Sequence, residues 1–408
     1  MDNLTLWVWL SEKCAPDTPY FSILYHTFGS VERIYAANQE ELEGVFGLKS
    51  AQIKALCDKN TAKAEAVIRK CRMENIGIIP YNDDLFPSRL RVIKNPPVLL
   101  YYKGRLPIFE KEVCIGTVGT RTPSSYGCRC AYEIAFDLAL SGAYVISGMA
   151  SGIDSICHTA ALDAGGKTVA VLGCGINVIY PKENTELYNR LANYGTIISE
   201  YPPDFSATRY TFPQRNRIIS GLSLGTLIVE AQLKSGAMIT AKIAIEQNRD
   251  LFAIPGRLGE YNSIGPNSLL QMGAKAVSSA YDILNEYEFL YPDKIHLKTN
   301  NGSKKNNPYK NTIEIIKKTE RPKNTVLPVP EDTETPQKQA VEEEKPNFDH
   351  LPEQQKNICV ILSKTTPKSL EEIAGETNIS VSDIMSSLTI LEIQGIVIAV
   401  PGGSFVLA

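Results

Sequence analysis

The sequence predicts an α/β protein built on an extended Rossmann-like parallel sheet covered by helices, with a small helical domain before it and a winged helix after it. From Lys111 onward, short apolar runs alternate with amphipathic helical segments. Strands that are apolar throughout and alternate with helices are typical of a parallel sheet with both faces covered. Several apolar runs end in glycine- and serine-rich turns, and ligands bind at the carboxyl ends of such strands.

Composition sets limits on compartment and chemistry. The chain has 408 residues, 43% of them hydrophobic, and a formal net charge of −3, so nucleic-acid binding requires a local basic patch. Nine scattered cysteines and four histidines show no zinc-ligand spacing. We therefore expect a reduced cytoplasmic protein with no metal and no cofactor. No apolar run reaches membrane-spanning length, so we expect no membrane association.

Residues 1–75 are predicted to form a small helical domain. Apolar residues recur at helical spacing in Phe21, Leu24, Tyr25 and Phe28. A glycine-broken turn over residues 42–48 resembles a helix-hairpin-helix or SAM-like module. Because only Lys49 and Lys54 supply charge nearby, a plain helical connection is favoured over a phosphate-binding turn.

Residues 81–292 are predicted to form the Rossmann-like domain. A proline-rich lead-in over residues 81–110 precedes the regular pattern. The predicted strands cover residues 113–118, 143–147, 168–172, 226–229 and 251–254, and the predicted helices cover residues 131–140, 155–163, 184–192 and 239–247.

The last third of the chain is predicted to hold a linker and a small domain. Residues 293–350 are rich in charge and proline, which predicts a disordered linker. Residues 351–408 fit three helices and a hairpin, the pattern of a winged helix. Ser369 with Glu372 fits a capping box, Ser380 with Asp383 fits a second helix start, and Gly395 is predicted to end the third helix. The hairpin is predicted over residues 396–407, with its turn at residues 401–403. No lysine or arginine follows Lys368, so the presumed recognition helix over Val381–Ile393 cannot neutralise phosphates. We expect this domain to bind protein or its own chain rather than duplex DNA.

The first two strand-end turns suit anions better than dinucleotides. Glycines 116, 119 and 127 do not have the spacing of a dinucleotide fingerprint, and Arg121 occupies that turn. The next turn contains Ser147 and Gly148 and leads to Asp154 and His158. The latter two could form an acid–base pair, but a helix-capping aspartate with a hydrogen-bonded histidine is favoured, because no nucleophile accompanies them.

The most informative run is Phe212-Pro213-Gln214-Arg215-Asn216-Arg217, with Arg209 and Tyr210 upstream. Guanidinium groups pair with phosphates and an aromatic ring can stack on an unpaired base, so this chemistry suits a single-stranded nucleic acid. A surface loop with solvated arginines is the plainer interpretation. Ser235 and Gly236 form one more turn that is able to meet phosphate.

Taken together, these motifs resemble the DNA-processing protein A family over about residues 80–290. The motifs are Thr120-Arg121 with Tyr126-Gly127, Ser147-Gly148 with Gly152-Ile153-Asp154 and His158, Ser199-Glu200-Tyr201-Pro202, residues 212–221, Ser235-Gly236 with Thr240-Ala241, Pro255-Gly256, and Gly265-Pro266-Asn267. The resemblance implies a non-enzymatic protein that binds single-stranded DNA, loads the RecA recombinase during natural transformation and forms homodimers. Carried over by position, the strand-binding residues are Arg121, Ser147, Gly148, Arg209, Phe212, Arg215 and Arg217, to which the residue pattern adds Asn216, Ser235 and Gly236.

Two functions of other classes stay open. Similar Rossmann-like folds include nucleotide hydrolases that release a base from a ribose phosphate. Glu200 or Glu230 would then be the acid and Arg121 the phosphate clamp, although only one glycine stands in residues 222–225, where a phosphate loop would precede the acid. The other alternative is a protein–protein adaptor whose arginines are structural.

Overall fold

A computed structural model describes residues 2–14, 16, 20–296, 351–363, 368–377, 379–393, 396–400 and 404–407. The described residues up to 296 belong to one compact unit, and those from 351 onward belong to a second. Nearly all of the predicted linker lies outside the described residues. The same holds for Gly395, predicted to end a helix, and for the predicted hairpin turn at residues 401–403.

The first unit contains a nine-stranded, mostly parallel sheet. Its strands are β1 (Gly77–Pro80), β2 (Leu99–Gly104), β3 (Cys114–Val118), β4 (Tyr144–Ser147), β5 (Lys167–Leu172), β6 (Thr196–Ser199), β7 (Gly225–Ile228), β8 (Asp250–Ala253) and β9 (Lys275–Ala276). The strand order is β1-β2-β6-β5-β4-β3-β7-β8-β9. The seven strands from β6 to β9 in that order pair in parallel. The parallel sheet was predicted with five of these strands, to which the structure adds β6 and β9.

Two antiparallel strands correct the sequence prediction. β2 pairs antiparallel with β6, and β1 pairs antiparallel with β2. The segment predicted as an irregular lead-in therefore contains a buried strand. Its prolines lie outside that strand, at residues 87, 96, 97 and 107, where they interrupt no hydrogen-bond ladder of the sheet.

Helices surround the sheet and precede it. They are α1 (Asn3–Lys13), α2 (Tyr20–Phe28), α3 (Val31–Ala36), α4 (Gln39–Glu43), α5 (Ser50–Cys57), α6 (Ala62–Met73), α7 (Ser88–Arg91), α8 (Ser125–Leu140), α9 (Ile153–Asp163), α10 (Thr185–Tyr194), α11 (Thr211–Leu222), α12 (Gly236–Glu246), α13 (Ile264–Gln271) and α14 (Ala280–Leu284). The four helices predicted between the strands all form, as α8, α9, α10 and α12. The largest boundary difference is at α8, which begins six residues early because Ser124 caps it.

The N-terminal helices share a hydrophobic core with the sheet. Trp7, Trp9 and Leu24 are fully buried in the same cluster as Tyr101 of β2 and Ile197 of β6. The predicted turn between α4 and α5 is present, and Gly47 in it has a positive φ of 91°. The helical region thus exists as predicted, packed continuously with the sheet.

The described part of the second unit contains three helices and a small antiparallel sheet. The helices are α15 (Glu353–Ile361), α16 (Leu370–Thr377) and α17 (Val381–Ile393), and the strands are β10 (Lys368–Ser369), β11 (Val397–Val400) and β12 (Ser404–Leu407) in the order β10-β12-β11. Both predicted caps form: the amide of Glu372 donates to Ser369 and that of Asp383 donates to Ser380. The described residues of this unit pack around their own apolar core.

The sheet order creates a switch point at β3. The chain moves from β3 through β4 and β5 on one side, and returns to β7 on the other. The loops after β3 and β7 therefore leave the sheet in opposite directions. In open α/β sheets this divergence opens a crevice at the carboxyl ends of the strands.

None of the described helices is long and apolar enough to cross a membrane. Within the same residues, no group of three or more potential ligands could hold a metal ion. All nine cysteines are free, and six of them are buried.

Truncating a core side chain of α8 should destabilise the first unit. Leu138 is fully buried, so Leu138→Ala should lower the free energy of unfolding by about 2–5 kcal/mol through lost burial and a residual cavity. Urea unfolding of the full chain measures this. Leu140→Ala on the same helix is the control, because Leu140 is 39% exposed. Equal losses for the two variants would contradict the assignment of Leu138 to the core.

Candidate nucleic-acid interface

A cleft of about 550 Å³, here called the strand-end cleft, opens at the carboxyl ends of the parallel strands, at the switch point. It is lined by residues of the loops after β3, β4 and β7 and by the starts of α11 and α12. These include Val118, Thr120, Arg121, Asp154, Tyr180, Arg209, Phe212, Arg215, Asn216, Gln232, Ser235 and Gly236. Most of the predicted DNA-binding residues thus lie around one cavity, although their roles differ sharply.

Arg215 forms the floor of this cleft. It is only 4% exposed, and its guanidinium donates to the carbonyl oxygens of Gly148 (2.6 Å) and Val171. Its Nε donates to Asn216 Oδ1 at 3.1 Å. These bonds tie the end of β5 and the loop after β4 to α11. The sequence did not reveal this burial, because the interpretation as a surface loop missed that a helix begins at Thr211.

Gly148 is required by the position of Arg215. A Cβ atom on Gly148 would lie 2.3 Å from Arg215 Nη1, so no other residue fits without displacing the guanidinium. The backbone amide of Gly148 donates to the buried carboxylate of Asp154 at 3.1 Å, and that of Ala150 does so at 3.4 Å. Asp154 therefore fixes the loop before α9 and supplies a negative charge near Arg215.

Asp154 and His158 do not form a catalytic pair. The predicted cap is corrected: Gly152 is the N-cap of α9, and Asp154 lies within the first turn. His158 is fully buried, and its Nδ1 lies 2.7 Å from Thr168 Oγ1. Burial and the charge of Arg215 lower the pKa of His158 to about 3, so the imidazole is neutral at pH 7.

Arg217 points away from the cleft and forms a buried ion pair. Its Nη2 lies 2.6 and 2.8 Å from the two carboxylate oxygens of Glu200. Both side chains are about one tenth exposed. Nη2 also donates to the carbonyl of Pro16 at 3.4 Å, which links α11 to the N-terminal region.

The exposed part of the cleft combines cations with aromatic rings. Arg121 is exposed, and its guanidinium lies 5.4 Å from the centroid of the Phe212 ring. The rings of Phe212 and Tyr180 lie 5.3 Å apart and are tilted by 32°. Arg209 lies over the ring of Tyr210, which is 64% exposed. Within the described chain, no carboxylate pairs with Arg121 or Arg209, so both charges are open to a ligand.

The N-terminus of α12 faces the same cleft. Ser235 caps this helix by accepting from the Met238 amide at 3.4 Å. Gly236 is exposed, and a Cβ atom on it would meet nothing within 4 Å. Asn216 Nδ2 donates to the Gly236 carbonyl at 3.4 Å. A helix N-terminus favours an anion, so this edge adds to the positive potential of the two arginines.

The predicted residues therefore separate into two groups. Arg121, Arg209, Phe212, Ser235 and Gly236 present groups to the cleft, whereas the remaining predicted residues are engaged within the protein. The engaged residues are Ser147, Gly148, Arg215, Asn216 and Arg217. The fully buried Ser147 hydroxyl, for example, donates to the Thr117 carbonyl at 2.6 Å.

Sequence reasoning missed Tyr180. It lines the cleft and contacts Phe212, and it is 44% exposed. The available signal was weak, because Tyr180 comes eight residues after the end of β5, beyond the range in which a strand-end turn predicts position. The one sequence feature that could have pointed to Tyr180 is the Tyr180-Pro181 pair that follows Gly173 and Gly175.

The two carboxylates considered as catalytic acids have structural partners. Glu230 is 2% exposed and accepts from the amide and hydroxyl of Ser124 at 2.9 and 2.5 Å, which fixes the start of α8. The carboxylate of Glu200 has its charge balanced by the ion pair with Arg217. Neither carboxylate is among the residues that line the cleft.

Several known proteins are similar to this chain. A family model described as DNA recombination-mediator protein A matches residues 77–288. DNA processing protein DprA of Bacillus subtilis is 39% identical over 239 residues, which is 59% of this chain and 80% of that protein. Protein Smf of Synechocystis sp. is 34% identical over 365 residues, which is 89% of this chain and 87% of that protein. The X-ray structure of DNA processing protein A from Streptococcus pneumoniae aligns with a TM-score of 0.62 and 32% identity over 70% of this chain and 98% of that chain.

Removing a buried arginine should cost stability, whereas removing an exposed one should not. Arg217→Ala leaves Glu200 buried without its partner and should lower the free energy of unfolding by about 3–5 kcal/mol. Arg121→Ala should stay within about 0.5 kcal/mol of the unmodified protein, because Arg121 is exposed. Chemical denaturation of both variants measures the difference. A stable Arg217→Ala variant would show that this ion pair does not hold α11 in place.

His158 should make the fold sensitive to acid. Its pKa is about 3 when folded, against about 6.5 in an unfolded chain, so the unfolded state binds more protons between these values and stability falls as pH decreases. Between pH 7 and pH 5 the unmodified protein should lose about 2 kcal/mol more than His158→Gln. Urea unfolding at both pH values gives the two losses. Parallel losses would mean that the imidazole does not resist protonation.

Proposed function

The chain belongs to the DNA recombination-mediator protein A family, and from this premise we propose that its strand-end cleft binds single-stranded DNA. The observation that carries the proposal is the pairing of the exposed Arg121 with the ring of Phe212 in a cleft that also holds Arg209 and Tyr180. A guanidinium can contact a phosphate while the adjacent ring stacks on a base.

The geometry favours an unpaired strand over a duplex. The cations lie inside a cleft rather than along a flat face, and the aromatic rings lie beside them. Stacking on a ring requires a base whose face is accessible, which a base-paired duplex does not offer. The buried arginines contribute by holding the cleft in shape instead of touching the strand.

Family membership supports the wider role. The relatives from Bacillus subtilis and Streptococcus pneumoniae are named DNA processing protein DprA. We propose that this chain acts likewise on DNA in the cytoplasm, as a homodimer that loads RecA onto single-stranded DNA during natural transformation. An assay of RecA filament growth on single-stranded DNA coated with a single-strand-binding protein tests the loading step directly.

We further propose that the protein has three domains and that it is not an enzyme. The domains are the helix-hairpin-helix region (1–75), the Rossmann-like domain (81–292) and, after the linker (293–350), a winged helix (351–408). The three helices and antiparallel strands of the second unit support the winged helix. The structural engagement of Glu200 and Glu230 supports the absence of catalysis and disfavours a nucleotide hydrolase.

The cleft should bind oligo-dT with an affinity that depends on its exposed groups. Phe212→Ala should weaken binding by about 1–3 kcal/mol through lost stacking. Each of Arg121→Ala and Arg209→Ala should reduce the slope of log K against log salt by about 0.7, because each removes one phosphate contact. Fluorescence anisotropy with labelled oligo-dT measures both effects, and a matched duplex should bind more weakly.

Arg129→Ala is the control for these variants, since Arg129 is exposed on α8 but does not line the cleft. Thermal unfolding of each variant separates a local effect from a loss of fold. If the cleft variants and Arg129→Ala have the same affinity for oligo-dT, single-stranded DNA does not bind in this cleft. Incubation with nucleoside monophosphates would then test whether the protein releases a base.

A further inference from the structure

We propose that a second cleft, at the opposite edge of the sheet, binds the phosphates of a second segment of single-stranded DNA. This amino-end cleft has a volume of about 530 Å³, nearly the same as that of the strand-end cleft. It is lined by the first residues of β4, β5 and β6 and by the segment after β2. The lining side chains used below are Arg105, Lys111, Glu112, Tyr144, Lys167, Tyr194 and Lys294.

The amino-end cleft carries an excess of positive charge. Four cations line it, and Glu112 is its one lining carboxylate. Lys294 and Lys167 share that carboxylate, at 2.9 and 4.0 Å respectively. Within residues 20–296 and the other described parts of the chain, no carboxylate pairs with Arg105 or Lys111, and both side chains are exposed.

Two tyrosine rings line the amino-end cleft together with these cations. Tyr194 is 79% exposed at the end of α10, so its large aromatic ring is accessible from solvent. Tyr144 lies deeper, with Lys167 Nζ 4.9 Å from its ring centroid. Exposed rings interleaved with cations are the combination that single-strand-binding surfaces use to stack bases and track a backbone.

The position of the amino-end cleft suits a continuous strand. β5 runs from one cleft to the other over six residues, or roughly 20 Å of extended backbone. A single strand long enough to pass around the edge of the domain would occupy both clefts. A small phosphorylated metabolite fits less well, because two of the four cations are already paired with Glu112 and the other two are exposed rather than buried.

This inference rests on the proposed function, so its test uses two oligonucleotide lengths and two sets of variants. The amino-end variant is Arg105→Ala/Lys111→Ala, the strand-end variant is Arg121→Ala/Arg209→Ala, and the fourth protein combines them. A labelled oligo-dT of about 6 nucleotides probes one cleft, and one of about 30 nucleotides can occupy both. Arg69→Ala/Arg72→Ala removes the same charge from exposed positions on α6 and is the matched control.

We expect the amino-end variant to bind the long oligonucleotide several-fold more weakly, with a salt slope reduced by about 1.4 for two lost phosphate contacts. Its affinity for the short oligonucleotide should equal that of the unmodified protein if the strand-end cleft is the tighter site. The strand-end variant should keep weak, salt-sensitive binding to the long oligonucleotide, and the combined variant should lose it. Thermal unfolding should be unchanged by Arg105→Ala/Lys111→Ala, because both residues are exposed.

Each contrary result has a distinct meaning. Long-oligonucleotide binding that is unaffected by Arg105→Ala/Lys111→Ala, or weakened equally by the α6 control, overturns the second site while leaving the first intact. An effect of the amino-end variant without any effect of the strand-end variant overturns the proposed function and keeps the second site. Failure of the unmodified protein to bind either length overturns both.

Discussion

The cleft depends on one buried cation. Arg215 bonds to backbone carbonyls at Gly148 and Val171, and so holds the carboxyl ends of two neighbouring strands to α11. A buried guanidinium is costly unless its donors are satisfied, and here the carbonyls, Asn216 and the nearby charge of Asp154 satisfy it. The glycine at position 148 leaves the space that the guanidinium occupies. The loops that carry the exposed groups are therefore fixed before any ligand arrives, which lowers the entropic cost of binding.

Much of the architecture could be predicted because the parallel strands are buried on both faces. Such strands read as unbroken apolar runs, and all five predicted strands form within about one residue of their predicted limits. β1 and β2 were missed because prolines lie in or beside them, and because only one residue of β1 and three residues of β2 are buried. A strand that pairs antiparallel at the side of a sheet needs no crossover helix, so the alternating pattern gave no sign of it.

The site was predictable in location and less so in detail. The position of Arg121 just after a strand predicted that it would lie at the carboxyl edge of the sheet, and the structure shows it there, lining one cleft with Phe212 of α11. A sequence does not tell whether an arginine faces solvent or backbone carbonyls. On α11, residues 215 and 217 are both arginine, yet one lies under the cleft and the other meets Glu200. Only the packing of α11 against the sheet decides this, and the packing depends on residues far away in the chain.

The common core of the N-terminal helices and the sheet bears on how this protein could evolve. Trp7 and Trp9 are buried in the same cluster as Tyr101 and Ile197, and Arg217 reaches the carbonyl of Pro16. Shared cores of this kind prevent a segment from being exchanged between proteins as an independent module, because the exchange would expose apolar surface on both sides of the junction. A substitution in the core of the helical region is thus expected to require a compensating substitution in the part of the sheet that it packs against. The described residues of the second unit pack around a core of their own, so substitutions within that core need no matching change among the residues of this shared core.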